Sequence, residues 1–261
     1  MRLSGSKNYV DDHAWCCSNK DCTGIENIRN NNILFNSFPR IKFRILLIFI
    51  FTHFTVLLSP VLSKTILGLS KVTIRELSKL LNSWIVEHQL QVERNVGKFG
   101  GERKIVELDE SCFFKRKNNK GRIQKQIWGF GFVERESGRL FVRIVPNRSA
   151  ETLLPIIQEW IAVNTKMLVS DEWRAYSKLK DKGYNHKTIK HKDNFVDKLQ
   201  PTIHTQNIEN RWGLIKSLLK RSGKILRVGF DQKVIEIVWR IMNKNDLQNS
   251  LLQILIKKIN Q

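Results

Sequence analysis

Lys104-Ile105-Val106-Glu107-Leu108-Asp109-Glu110, near the middle of a 261-residue chain, is the stretch from which the fold is read. Its apolar positions make a short strand that runs straight into two acids. The pattern recurs at Lys166-Met167-Leu168-Val169-Ser170-Asp171, where an apolar run is again closed by an aspartate. Two further apolar runs, Ile127 to Val133 and Leu140 to Val145, flank a turn at Ser137-Gly138 and read as a strand pair.

Helical spacing fills the gaps. Leu153, Leu154, Ile157, Trp160 and Ile161 share one face behind Ser149, which is placed to cap the helix. Trp173 to Lys182 reads as a helix closed by Gly183. Lys187 to Ile189 is a brief fifth strand, and Thr205 to Lys220 is a long helix bearing Glu209. Three antiparallel strands followed by alternating helix and strand describe an α/β, RNase-H-like domain with a mixed five-stranded sheet. Gly97 to Gly101, with three glycines, reads as the linker that precedes it.

In that layout the first strand is central and the fourth lies beside it, so Asp109 and Asp171 become neighbours. A helix crossing afterwards can bring Glu209 over the same spot, with Asp193 and Asp197 competing for that third place. Carboxylates held this close repel one another, which makes their clustering understandable chiefly if metal binds. Two-metal phosphoryl transfer needs such a cluster. Mg²⁺ suits it, taking carboxylate oxygens and keeping waters. The competing interpretation is that strand-end acids are plain caps or turn residues.

Charge points the same way. There are 45 Lys+Arg against 24 Asp+Glu, a net charge of +21. Residues 1–100 carry 13 and 7 of these and residues 101–261 carry 32 and 17, so most of the excess lies on the half with the acidic triplet. A field of that sign favours nucleic acid or an anionic membrane surface. Arg116, Lys117, Lys120, Arg122 and Lys125 follow the first acidic strand and are placed to track phosphates.

The N-terminal part divides in two. Residues 1–40 are polar, Asn-rich and irregular, and Cys17 and Cys22 supply only one of the two ligand pairs that a structural zinc site wants. Unpaired thiols in a frayed terminus are the alternative. With 4 cysteines the chain is no disulfide scaffold, and a reducing compartment is expected. Residues 45–63 carry no charge and are long enough to be weighed as a membrane span, but Thr52, His53, Thr55, Ser59 and Pro60 interrupt them. A buried helix pair accounts for the same run. Residues 65–90 look like a helix-turn-helix: Gly68-Leu69-Ser70 makes the turn, Ser70 or Thr73 caps, and Lys71, Arg75 and Lys79 form an exposed face offered to DNA. Thr73 and Glu76 also have capping-box spacing.

Several ordered blocks resemble the Merlin-type transposases and their bacterial, ISXO-like insertion-sequence relatives. They are Val106-Glu107-Leu108-Asp109-Glu110-Ser111, Asn147-Arg148-Ser149-Ala150-Glu151-Thr152-Leu153-Leu154, Ser170-Asp171-Glu172-Trp173-Arg174-Ala175-Tyr176, Gly183-Tyr184-Asn185-His186 with Asn194-Phe195-Val196-Asp197, and His204-Thr205-Gln206-Asn207-Ile208-Glu209-Asn210-Arg211-Trp212. The resemblance implies an RNase-H-like DDE domain that performs cut-and-paste DNA transposition with Mg²⁺ or Mn²⁺, two ions in the full site. It puts the family's three catalytic, metal-holding acids on Asp109, Asp171 and Glu209. Bacterial relatives can carry asparagine at the third place, where this chain has glutamate as in the eukaryotic branch. Lys216, seven residues after Glu209 on the same helical face, resembles the basic residue used near the DNA end.

The implied organisation is a degraded zinc-ribbon-like or disordered segment over 1–40, with Cys17 and Cys22 as a vestige. A helical, helix-turn-helix-like DNA-binding region follows over 41–96, then the DDE domain over 102–225 and a C-terminal helical segment over 226–261. DNA, as transposon ends and target, and further copies of the chain on that DNA are the implied partners, with no membrane. The place of action is the nucleus in a eukaryotic host and the cytoplasm or nucleoid in a bacterial one. Three rivals stand beside this reading: a silent or co-opted transposase-derived DNA-binding protein, a protein anchored through 45–63, and a ribonuclease or resolvase of the same fold.

Overall fold

The computed structural model describes residues 1–29, 33–55, 60–114, 126–189, 203–222 and 229–259. The chain forms two compact units, residues 1–85 with 245–261, and residues 86–244.

The first unit opens with strands β1 (Arg2–Gly5), β2 (His13–Cys16) and β3 (Ile25–Asn27), an antiparallel sheet in the order β1-β2-β3. This corrects the expectation of an irregular terminus. Arg29, itself buried, anchors the sheet's far end by an ion pair to Asp11 and by donating to the carbonyl oxygens of Pro39 and Ile41. Four helices follow: α1 (Ile33–Ser37), α2 (Phe43–Thr55), α3 (Pro60–Leu67) and α4 (Lys71–Val96), with α4 continuing into the second unit. The uncharged run 45–63 is thus divided between α2 and α3. Among the described residues no helix is long and apolar enough to cross a membrane. Gly68 makes the α3–α4 turn with a positive φ of 67°, which glycine adopts without strain. Ser70 Oγ accepts from the Thr73 backbone N–H at 3.1 Å, so the cap at this helix is Ser70. Helix α8 (Leu247–Ile259) closes the unit.

The second unit is built on a five-stranded sheet. Its strands are β4 (Ile105–Cys112), β5 (Trp128–Glu134), β6 (Leu140–Val145), β7 (Met167–Asp171) and β8 (His186–Ile189), in the order β6-β5-β4-β7-β8. The β6-β5-β4 pairings are antiparallel, and β4-β7 and β7-β8 are parallel. This is the RNase-H-like mixed sheet that the sequence predicts, with the first acidic strand at its centre.

Alternation along the strands gives each face its own core. Val106, Leu108, Phe130, Phe132 and Phe141 face helix α5 (Ala150–Trp160) and the short helix 174–179. Val133, Leu140 and Val142 face helices α6 (Gln206–Arg221) and α7 (Phe230–Met242).

Three local expectations are corrected. The span Trp173 to Lys182 is not an α-helix; it holds a single 3₁₀ segment over Arg174–Leu179, and Gly183 follows with a positive φ of 85°. Ser149 occupies the N-cap position of α5 without a capping side-chain bond. Asn147 serves that turn instead, its Oδ1 accepting from Ser149 N–H at 2.9 Å and Thr152 Oγ1 at 2.8 Å. The glycine-rich 97–101 stretch is no slack linker, because Phe99 is buried within it. The Phe99 N–H donates to the Trp160 carbonyl at 2.8 Å, and its own carbonyl accepts from Ala162 at 2.9 Å.

Candidate active site

Strand alternation sends Glu107 and Asp109 to the α6 face of β4, and Glu110 to the other. Glu107 is fully buried and binds the start of α6. Its carboxylate accepts from the Ile208 backbone N–H at 3.0 Å and from Asn207 Nδ2 at 2.7 Å. Arg135 Nε donates to it at 2.6 Å, and the same guanidinium donates to the His204 carbonyl at 2.7 Å. One buried acid therefore satisfies an orphan helix N–H, complements the positive end of the helix, and ties α6 to the central strand. Glu209 is one residue beyond Ile208, and Asp109 is two residues beyond Glu107.

Asp171 reaches the same face along β7. Ile105, Val106 and Glu107 pair with Met167, Leu168 and Val169. Continued two residues, that register puts Asp109 level with Asp171. Asp171 Oδ1 accepts from the Trp173 N–H at 3.0 Å, which fixes the strand end. Glu209 Oε1 accepts from Thr205 Oγ1 at 2.7 Å.

Glycine sets how closely the helix lies. Gly131 is the β5 partner of Asp109. A Cβ there would stand 2.8 Å from the Phe141 carbonyl oxygen and 3.0 Å from the Trp212 ring. The bare strand lets Trp212, one turn along α6 from Glu209, lie directly on it.

Asp109 lies within electrostatic reach of the other acids. The Asp109 carboxyl is pushed up to about 8, first by burial, then by Glu110 and Asp171, and more weakly by Glu209; its bond from the Glu110 N–H offsets part of this. Glu110 is pushed up to about 7, chiefly by burial, although the Tyr176 hydroxyl donates to it. No cation pairs with Asp109 among the described residues. Oxygen-only, mutually repelling donors are what a hard divalent cation takes. In their present positions, however, no three His, Cys, Asp or Glu side chains among the described residues are grouped closely enough to hold a metal ion.

The remaining candidates are scattered. Lys71, Arg75 and Lys79 are exposed on α4, and Lys79 is paired with Glu76 at 2.9 Å. Lys216 is half-buried on α6. Arg116, Lys117, Lys120, Arg122 and Lys125 lie outside the described residues, as do Asp193 and Asp197. The Cys17 thiol is lowered by the Asn19 backbone and by Cys22, but no further His, Cys, Asp or Glu joins the pair among the described residues. Sequence reasoning missed Glu107, whose only outward sign was a charged residue at a strand position flanked by apolar ones. It also missed the Tyr176–Glu110 bond, which links residues remote in sequence.

Residues 99–240 match the family model for the ISXO2-like transposase domain. The chain belongs to that family. This transposase domain is also similar to an uncharacterised transposase-like protein of Haemophilus influenzae, 28% identical over 120 residues, covering 46% of this chain and 94% of the relative. Among solved structures, the HTLV-2 integrase catalytic core domain in complex with magnesium (dimeric form) is 17% identical at a TM-score of 0.36, covering 55% of this chain and 88% of that one. A chain in the simian T-cell lymphotropic virus intasome with PP2A regulatory subunit B56 gamma gives the same identity and TM-score, covering 56% of this chain and half of that one. At that level of overlap the likeness adds nothing to the strand order already described.

Proposed function

We propose that this chain is a DDE transposase that cleaves DNA and transfers the cut strand, using Asp109, Asp171 and Glu209 to hold two divalent cations, Mg²⁺ or Mn²⁺. The observation that carries this is the convergence of acids from three separate elements at the centre of the sheet, felt at Asp109, in a chain of a transposase family. A bound cation would supply charge stabilisation to the attacking and leaving oxygens of an in-line displacement. The chain's own part is positioning. Adjacent strands hold Asp109 and Asp171 side by side. Glu107 pins the start of α6, and Thr205 orients Glu209 on it.

The DNA strand is held by basic side chains. Arg116, Lys117, Lys120, Arg122, Lys125 and Lys216 serve the catalytic unit, and Lys71, Arg75 and Lys79 serve the α3–α4 pair. Transposon ends and target DNA are the substrates, and further copies of the chain pair two ends. Glu209 in the third place favours the Merlin-type branch.

The test is Mn²⁺ titration of the whole protein followed by electron paramagnetic resonance, beside Asp171→Ala, with nicking of supercoiled plasmid in parallel. We expect Mn²⁺ binding and nicking that Asp171→Ala abolishes. Binding unaffected by the substitution, or no nicking in Mn²⁺ by a folded protein, would remove the proposal.

A further inference from the structure

On the other face of the sheet from Glu107, strand β5, the turn before α5 and the 3₁₀ segment enclose a cleft of about 590 Å³. Arg148 stands in it between two indoles, with its guanidinium carbon 4.0 Å from the Trp128 ring centroid and 4.2 Å from that of Trp173. Trp173 is fixed at two points. Its Nε1 donates to the Arg148 carbonyl at 2.9 Å, and its backbone N–H donates to Asp171 Oδ1 at 3.0 Å. The guanidinium is therefore held flat; among the described residues its N–H groups meet no acceptor, and it acts on the Glu110 carboxylate through its charge without a direct bond. Glu110, the acid on this side of β4, is engaged by the Tyr176 hydroxyl. Arg174 and Lys178 are exposed along the same wall, against one acid, Glu151.

We propose that this cleft seats a phosphodiester of the DNA strand next to the proposed scissile bond, with Arg148 as its anchor. The assignment rests on the DNA substrate proposed above but not on the metal chemistry. A planar guanidinium offers parallel N–H groups that match two phosphate oxygens, which an ammonium cannot do. The indoles have already removed its rotamer freedom, so little ordering entropy remains to be lost on binding. The bond from the Trp173 N–H to Asp171, and Glu110, which feels the charges of both Asp171 and Arg148, tie the cleft to the strand ends that carry the acids.

The experiment is fluorescence anisotropy of labelled single-stranded and duplex oligonucleotides with the full chain in EDTA, over a range of salt. Wild type is compared with Arg148→Ala, Arg148→Lys and the surface pair Arg174→Ala/Lys178→Ala. We expect Arg148→Ala to weaken binding and lower the slope of log affinity against log salt by about 0.7–0.9, the value of one phosphate contact. Arg148→Lys should keep the slope but not the affinity, and the surface pair should lower the slope without changing thermal stability. Arg148→Ala matching wild type in affinity and slope, or no oligonucleotide binding by wild type, would overturn the proposal. Saturable binding of inorganic phosphate, read by tryptophan fluorescence, with oligonucleotide affinity intact in Arg148→Ala, would reassign the cleft to a small anion. Because EDTA excludes metal chemistry, loss of plasmid nicking in Mn²⁺ leaves this result standing, and the two ideas fail separately.

Discussion

Burial first, and repulsion from Glu110 and Asp171 after it, set the direction in which Asp109 is shifted. The folded chain holds its proton up to about 8, whereas the ordinary carboxyl releases it near 3.8. Between those values the folded state binds more protons than the unfolded one, so metal-free protein should lose stability as pH rises. In EDTA, Asp109→Asn is expected to flatten that decline, and in wild type Mn²⁺ should reverse it by taking the proton's place. Urea unfolding at several pH values measures this; parallel curves for wild type and Asp109→Asn would contradict it. Glu107 makes a separate prediction. Glu107→Ala removes the carboxylate that Arg135 Nε, Asn207 and the Ile208 N–H bind, a loss of about 3–5 kcal/mol for a broken buried pair. Glu107→Gln keeps an acceptor for the helix and should cost less, on the order of 1.5–3 kcal/mol, while lowering nicking more than DNA binding. A Glu107→Gln protein with wild-type nicking would show that anchoring α6 is irrelevant to the site.

Helix α7 carries a buried ion triplet on its own surface. Glu236 accepts from Lys233 at 2.5 Å and from Arg240 at 2.6 Å. Burial pushes its carboxyl up, but the two cations outweigh that and the net shift is down from 4.5. A depressed acid contributes stability above its unfolded value and loses it as pH falls through the folded one. The stability difference between wild type and Glu236→Gln should therefore be constant near neutrality and shrink below about pH 4. A difference that instead widens on acidification would reverse the sign. The elements legible in the sequence were those with a strong period. Ile105, Val106 and Leu108 announced the central strand, and the apolar face ending at Ile161 announced α5. What was not legible depended on contacts between distant residues. Polar residues 1–40 gave no periodic signal, yet three short strands pair there through backbone bonds. Nothing local marks Arg174 to Leu179 as 3₁₀, because its buried Tyr176 and Leu179 pack against the sheet. The acids at 109, 171 and 209 were visible as strand-end and helix-start residues. The acid that brings the helix to them was hidden among core positions.

Across the whole molecule the net charge of +21 sets how the chain meets a polyanion. Its affinity for DNA should fall steeply with salt, and each phosphate contact removed should lower the slope by about 0.9 on duplex. Neutralising Arg116, Lys117, Lys120, Arg122 and Lys125 together is expected to reduce the slope by a few units and to weaken binding across all sequences alike. An unchanged slope in that variant, measured by anisotropy, would remove these residues from the interface.

The bare backbone at Gly131 answers to two neighbours, the Phe141 carbonyl oxygen on the adjacent strand and the indole of Trp212 on the helix above. A methyl group at 131 would meet the Phe141 carbonyl oxygen at 2.8 Å as well as the ring at 3.0 Å, so shortening residue 212 relieves only part of the clash. Gly131→Ala should be strongly destabilising in the wild-type background and only partly rescued by Trp212→Leu, because the Phe141 carbonyl remains in the way. A double-mutant cycle should return a coupling of about 0.5–3 kcal/mol, and simple additivity would break the argument. A lineage that shortens the ring at 212 should therefore still keep glycine at 131, because the neighbouring strand's carbonyl stands where a side chain would begin.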